Sequence, residues 1–275
     1  MKIYPKVDER LKGLESLKEY VEKSNGIELQ FFHNNAIWGN YNIVSAIDYL
    51  MQTMPNLKEV TIHPPLENYD IELVALKDIE LIKSKIIDAI NLSNKYNIKI
   101  NLLYHVTWPI EMMEQGAIGK IKELVQMLQN TNVILLIENL FSITEHNHAC
   151  TVLEICKRIN SEHLKACLDI CHLHCMANIF KLDFNMFLNE YLDKTLAEKY
   201  IYQIHFADTK NNDGFINKIT HGRKHDSLQD LLKDYKILED YNLTNTNIIT
   251  EVSEEDYASR EDQKYEIELL KMIEE

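Results

Sequence analysis

Val133-Ile134-Leu135-Leu136-Ile137-Glu138-Asn139 opens with five aliphatic residues that run into a carboxylate and a carboxamide, and it reads as a short strand buried in a parallel sheet. Runs of the same kind recur along the chain at Ile3 to Lys6, Ile27 to Phe32, Glu59 to His63, Lys99 to His105, Ala166 to Ile170, Tyr200 to Ala207 and Ile248 to Val252. Between them lie amphipathic patterns such as Leu14-Leu17-Tyr20-Val21, Ile43-Ala46-Ile47-Leu50 and Ile79-Ile82-Ile86-Ile90, with apolar residues three or four apart. Strand and helix patterns that alternate about eight times are the signature of an α/β fold of the (β/α)8 (TIM) barrel type. The length of 275 residues fits one such barrel. With only 7 Gly and 5 Pro and no Ser-rich or Pro-rich linker, nothing divides the chain, so residues 1–275 are expected to form a single domain. The polar segment from Thr209 to Asp226, with Asn211-Asn212-Asp213-Gly214 inside it, reads as a long functional loop.

Composition narrows the class further. No apolar run is long enough to span a bilayer, and Met1-Lys2-Ile3-Tyr4-Pro5-Lys6 lacks the apolar core of a secretory leader, so no membrane partner and a cytoplasmic location are expected. Cys150, Cys156, Cys167, Cys171 and Cys175 crowd into one region, unlike a disulfide framework, and are expected to be reduced thiols. A formal charge of -14 disfavours a broad nucleic-acid footprint, although it leaves room for a local basic groove.

The chemistry-bearing residues fall at the C-terminal ends of the expected strands, where barrels of this type build their active sites. His63 ends Val60-Thr61-Ile62, His105 ends Leu102-Leu103-Tyr104, and Glu138 ends the run quoted first. Asp169 follows Ala166-Cys167-Leu168, His205 follows Ile201-Tyr202-Gln203-Ile204, and Glu251 follows Ile248-Ile249-Thr250. One buried imidazole or carboxylate is ordinarily a hydrogen-bonded core residue, but six at one barrel end call for a shared partner. A divalent cation supplies it. Mixed carboxylate and imidazole donors suit Zn foremost, with Mn, Co, Mg or Fe also compatible, and the lack of an ordered thiolate set argues against a sulfur-dominated site.

These motifs resemble the xylose isomerase-like barrel superfamily, and within it the endonuclease IV branch (AP endonuclease family 2), over nearly the whole chain. Ile137-Glu138-Asn139 looks like that branch's metal-bridging Glu-Asn, and Leu168-Asp169-Ile170-Cys171-His172 resembles its Asp-Thr-Cys-His. His205-Phe206-Ala207-Asp208-Thr209-Lys210 is similar to its His-Leu-Asn-Asp-Ala-Lys, Ile249-Thr250-Glu251 to its Leu-Glu-Thr strand end, and Phe31, Asn34 and Trp38 to its Phe-x-x-Asn-x-x-x-Trp spacing. The resemblance implies that His63, His105, Glu138, Asp169, His172, His205 and Glu251 hold one to three ions, with His225 as an eighth ligand. It also implies hydrolysis of a phosphodiester or phosphate ester by a metal-bound hydroxide, with no side-chain nucleophile.

Several departures bear on that function. Arg223 stands where the branch has an aspartate ligand, for which His221 is a substitute, and Gln229-Asp230 replaces a Gly-rich turn. Val106-Thr107 replaces a Pro-Gly, and Ala36 replaces a DNA-inserting arginine. The alternative implied by the same superfamily is a sugar or sugar-phosphate isomerase or epimerase, in which Glu138 and Glu251 exchange protons across a substrate held at one ion. The expected partner is accordingly a small phosphorylated or sugar substrate, with damaged DNA second. His33, Trp38 and Trp108 are candidate substrate contacts. Asp208 and Lys210 either orient the His205 ring or bind an anion, or they form a surface ion pair. Cys171, His174 and Cys175 lack a second Cys pair and read as packing, while His146 and His148 read as solvated.

Overall fold

The computed structural model describes residues 1–8, 11, 13–31, 42–64, 79–105, 117–140, 149–211, 219–254 and 256–274. Strands β1 (Lys2–Asp8), β2 (Gly26–Gln30), β3 (Glu59–His63), β4 (Lys99–His105), β5 (Val133–Glu138), β6 (Leu164–Asp169) and β7 (Ile201–Phe206) alternate with helices. The helices are α1 (Leu14–Ser24), α2 (Ile43–Thr53), α3 (Ile79–Tyr96), α4 (Ala117–Gln126), α5 (Ala149–Ile159), α6 (Ile170–Phe180), α7 (Phe184–Tyr191) and α8 (Lys194–Tyr200). A short arm of β8 (Asp208–Asn211) and β9 (Ile219–Arg223) follows, then α9 (Leu228–Asp240), β10 (Asn247–Thr250) and α10 (Glu261–Glu274). Eight strands pair in parallel in the closed order β1-β10-β7-β6-β5-β4-β3-β2, a (β/α)8 barrel. No helix among the described residues is long and apolar enough to cross a membrane.

The alternation of side chains along each strand divides two interiors. Val60, Ile62, Ile100, Leu102, Leu135, Ile137, Ile204 and Ile248 are fully buried and belong to one large apolar core with helix residues such as Leu50, Ile86 and Leu124. The opposite parity points into the barrel. There a small apolar group, Leu103, Ile134, Leu136 and Cys167, fills one side, and buried polar residues fill the rest: Lys6, Glu28, Glu59, Thr61, Asn101 and Gln203. Contacts between strands that are not neighbours prove the direction, because they have to cross the interior. Thr61 Oγ1 on β3 donates to Gln203 Oε1 on β7 at 2.7 Å, and Gln203 Nε2 donates to Glu28 Oε2 on β2 at 2.8 Å. On the floor, Glu59 accepts from Tyr202 at 2.6 Å, Asn101 at 2.8 Å and Tyr4 at 3.1 Å.

The segment expected to be one long loop differs from that expectation: its two ends pair antiparallel as the β8–β9 arm. The arm docks back on the barrel at Gly222, whose carbonyl accepts from the Ser253 amide at 2.6 Å. Gly222 has φ +72°, and a Cβ there would lie 3.0 Å from the Glu251 carbonyl oxygen, so a residue with no side chain suits this approach to the last strand.

Gly26 meets a different constraint, since a Cβ added to it would lie 2.4 Å from the Tyr4 ring on the barrel floor. Gly26→Ala is therefore expected to destabilise the fold by about 1–3 kcal/mol through overpacking. The urea midpoint of the variant against that of the unsubstituted protein measures this, and an unchanged midpoint contradicts the packing described for the floor.

Candidate metal centre at the barrel mouth

Seven of the eight expected ligands stand at or just beyond the C-terminal end of a barrel strand, so the closure of the sheet itself brings residues far apart in sequence together. His63, His105, Glu138, Asp169, His172 and His205 are all buried, and Glu251 is partly so. Two groups of possible ligand atoms form, His63 with His105 and Glu138, and Glu138 with Asp169, His205 and Glu251. Within each group the atoms lie within 4.8 Å of one another, and Glu138 belongs to both.

The two oxygens of Glu138 face different partners. His105 Nε2 lies 3.1 Å and His63 Nε2 3.5 Å from Oε2, whereas His205 Nδ1 lies 3.0 Å and His172 Nδ1 3.8 Å from Oε1. On the second side, His205 Nδ1 is also 2.5 Å from Glu251 Oε2 and 3.9 Å from Asp169 Oδ2. Oε2 of Glu138 is buried yet accepts no hydrogen bond from the described residues. His63 Nδ1 lies 3.0 Å from the Pro64 carbonyl oxygen and 3.0 Å from the Gln30 carboxamide nitrogen. A buried carboxylate oxygen that accepts no hydrogen bond and is faced by two imidazole nitrogens fits an intervening cation. The donor set therefore fits a divalent ion of the borderline type, with imidazoles and carboxylates mixed.

Local structure holds the ligands in register. Asn139 Nδ2 donates to the Asp169 carbonyl at 3.1 Å while its Oδ1 accepts from the Asp169 amide at 2.9 Å, a reciprocal clamp between the ends of β5 and β6. Asp169 caps α6 through Oδ1, which accepts from the His172 amide at 2.6 Å. His172 in turn donates from Nδ1 to the Asn139 carbonyl at 2.7 Å. Burial alone would raise the Glu138 carboxyl, but the imidazoles of His205 and His105 hold it well below the usual carboxylate range. Burial and the nearby Lys6 ammonium keep His63 below the ordinary imidazole range, hence neutral and fit to ligate. For His205 burial opposes the charge, yet its surroundings, Cys167 and the carboxylates of Glu251, Glu28 and Glu138, raise it well above 6.5. The Cys167 thiol is itself pushed up to about 12 by burial, so it is neutral at pH 7 and the carboxylates carry the attraction.

Two charged residues absent from the expected site lie against it. Lys6 Nζ is 2.6 Å from Glu251 Oε1 and 2.8 Å from Glu28 Oε1, and Glu28 Oε2 is 2.9 Å from His205 Nε2. Strand parity was the signal that could have found them, since Glu28 and Gln30, like Gln203 and His205, are two apart and share the inner face.

His225 stands apart from the mouth. Its Nδ1 faces Glu266 Oε1 at 2.5 Å and its Nε2 faces Asp234 Oδ2 at 3.1 Å, while His174 Nε2 meets the other Asp234 oxygen at 2.8 Å. Asp208, expected near substrate, gathers with His225 and Asp234 in a third group of possible ligands. A cleft of about 1260 Å³ lined by residues of α7, α8 and α9 opens beside it. Both ring nitrogens of His225 meet carboxylates, so its contacts in this structure form an ion-pair network at a distance from the mouth. His174 thus has a partner on α9, whereas Cys171 and Cys175 form no disulfide and are buried, with Cys171 Sγ 3.6 Å from the Asp208 carbonyl and Cys175 Sγ 3.8 Å from Thr209 Oγ1. Arg223, in the place of an expected aspartate ligand, is exposed. His33, Trp38 and Trp108, and the side chains of Lys210 and His221, lie outside the described residues, as do Ala36, Val106-Thr107, His146 and His148.

The family model for xylose isomerase-like TIM barrels matches residues 23–273, and the chain belongs to that family. No curated protein sequence matches it. Among solved structures it is similar to endonuclease IV from Thermus thermophilus, with TM-score 0.61 and 16% identity over 99% of this chain and 100% of the other. It is likewise similar to a D-tagatose 3-epimerase-like protein, with TM-score 0.60 and 18% identity over 100% and 98%. The IolI protein, solved with a bound zinc atom, matches with TM-score 0.62 and 15% identity over 99% and 96%. At these identities the likeness establishes the fold, and its members span endonuclease and epimerase alike.

The His225 network yields a pH prediction. Burial opposes the imidazolium, but Asp234 and Glu266 raise His225 to about 10. A raised pKa contributes stability that is fully present below the unfolded value of about 6.5 and is lost as pH rises through the folded value. His225→Ala, which strands two buried carboxylates, is expected to cost about 3–5 kcal/mol at pH 6. Chemical denaturation of both proteins at pH 6, 8 and 10 checks this: the gap should shrink steadily toward pH 10, and a constant gap refutes the charged pairing.

Proposed function

We propose that the chain is a divalent-metal-dependent hydrolase of a phosphodiester or phosphate ester. The observation that carries this reading is the double engagement of Glu138, whose two oxygens face separate ligand groups sharing that one carboxylate. His63, His105 and Glu138 would hold one ion, and Glu138, Asp169, His205 and Glu251 a second; zinc suits both sets best. His172 stands between Glu138 and Asp169 and is either a further ligand or a substrate contact. When bound, such a pair of ions supplies Lewis-acid activation of water and stabilises charge on the leaving oxygen. The chain's own part is to fix Glu138 between the two groups, to keep His63 neutral, and to orient Asp169 through the Asn139 clamp.

The substrate class follows from charge. With a formal net charge of -14 and Ala36 where the nuclease branch inserts an arginine, a small phosphorylated substrate fits better than damaged DNA, and a cytoplasmic setting agrees with reduced thiols. A second reading, sugar or sugar-phosphate isomerisation or epimerisation, draws on one specific feature. Glu138, Asp169, His205 and Glu251 form a complete four-ligand set for a single ion, with the two glutamates available as an acid–base pair. That reading leaves His63 and His105 without a task.

Elemental analysis after loading with zinc, followed by assays on a phosphodiester, a phosphomonoester, abasic-site DNA and a panel of ketoses, decides between the two. Two ions per chain with phosphoester hydrolysis is the expected result. Glu138→Gln should then lower the rate by about a hundred- to a thousandfold and reduce the ion count. A single ion together with ketose turnover would move the assignment to the isomerase.

A further inference from the structure

Lys6 and Glu28 are not among the ligands named above, although both are buried inside the barrel directly against them. What they do can be worked out from the polarity of the hydrogen bonds that reach them. Asn101 Nδ2 donates to Glu59 Oε1 at 2.8 Å and to Thr61 Oγ1 at 3.0 Å. Thr61 then has its own proton to give, and it donates to Gln203 Oε1 at 2.7 Å. The Gln203 carboxamide is thereby turned with its nitrogen toward Glu28 Oε2, to which it donates at 2.8 Å. His205 Nε2 lies 2.9 Å from that same oxygen and 3.2 Å from the Gln203 nitrogen. Gln203 Nε2 donates and cannot accept, so a proton on His205 Nε2 has the Glu28 carboxylate as its acceptor. His205 is left with Nδ1 facing Glu138 Oε1, Glu251 Oε2 and Asp169 Oδ2.

We propose that Lys6 and Glu28 are positioning residues for the ion at the Glu138, Asp169, His205 and Glu251 group. Glu28 accepts the Nε2 proton of His205 and commits Nδ1 to the ion, the carboxylate–histidine–metal arrangement that fixes ring and tautomer together. Lys6 bridges Glu28 and Glu251, at 2.8 and 2.6 Å. It balances the buried charge of the first and occupies Oε1 of the second, turning Oε2 to the ion. With an ammonium on one oxygen and the ligand set on the other, Glu251 serves as a ligand and is poorly placed to carry protons. The inference rests on the reading that this group binds an ion, and it deepens the hydrolase assignment over the two-glutamate isomerase.

The test reads zinc affinity by competition with a chromophoric chelator, and the His205 tautomer in the zinc-loaded protein by long-range ¹H–¹⁵N correlation. Glu28→Gln, which keeps shape and removes charge, should weaken zinc binding by about 10–100-fold. Lys6→Met should weaken it as well, and Lys6→Arg should restore most of the loss, which a purely space-filling role would not require. The loaded protein should show His205 protonated on Nε2. Should Glu28→Gln, folded by circular dichroism, bind zinc within twofold of the unsubstituted chain, or His205 carry its proton on Nδ1, the positioning role is wrong while the metal centre stands. If the unsubstituted chain takes up no zinc, the metal-centre reading fails, and this role with it.

Discussion

The placement of Glu138 between two sets of imidazole and carboxylate donors is the constraint on which the rest depends. Its carboxylate is 1% exposed, a setting in which an isolated charge is costly unless it is matched by cations and hydrogen bonds. The barrel answers this with neighbours drawn from five other strands: His63 on β3, His105 on β4, Asp169 on β6, His205 on β7 and, just past β10, Glu251. No local segment could assemble that set, because the residues are joined only through closure of the sheet. The stability of the barrel and the integrity of the centre are in this sense one property.

Closure also explains why the barrel interior departs from the usual filling of branched aliphatic side chains. Only one flank, with Leu103, Ile134, Leu136 and Cys167, is apolar. The remainder is a column of polar side chains running from Glu59 on the floor through Asn101, Thr61 and Gln203 to Glu28 and His205. A column of this kind is stabilising when its members are satisfied, and its directionality carries orientation upward to the ligands. Hydrolase and isomerase share the barrel and most of the ligands. What separates them is the use made of Glu251 and of the pair His63 and His105, and both turn on residues that lie behind the ligands.

Much of this was legible in the sequence. The strands expected at Glu59 to His63 and Lys99 to His105 have those bounds in the structure, and Val133 to Asn139 shortens by one residue, because unbroken aliphatic runs between amphipathic helices leave little ambiguity. The residues that gather at the mouth were legible for the same reason, a charged or imidazole residue closing an apolar run. Less visible was the β8–β9 arm, whose polar strands lack the apolar alternation that a half-buried sheet imposes. Glu28 lies inside a strand, where only the two-residue parity marks the inner face, and Lys6 closes the expected first strand but is a cation and so does not read as a metal ligand. The placement of His225 was hidden for another reason: its partners Asp234 and Glu266 come from helices, and no spacing in the chain announces that they meet it.

Asp169 has one further consequence. A single carboxylate both opens helix α6, by capping the His172 amide, and reaches toward His205 across the mouth. Were an ion bound by this group, its occupancy and the order of the first turn of that helix would be linked quantities, since whatever relieves the crowding of negative charge around Asp169 also steadies the turn it starts. Slow solvent exchange of one backbone amide would make the helix a built-in gauge of the cation beside it.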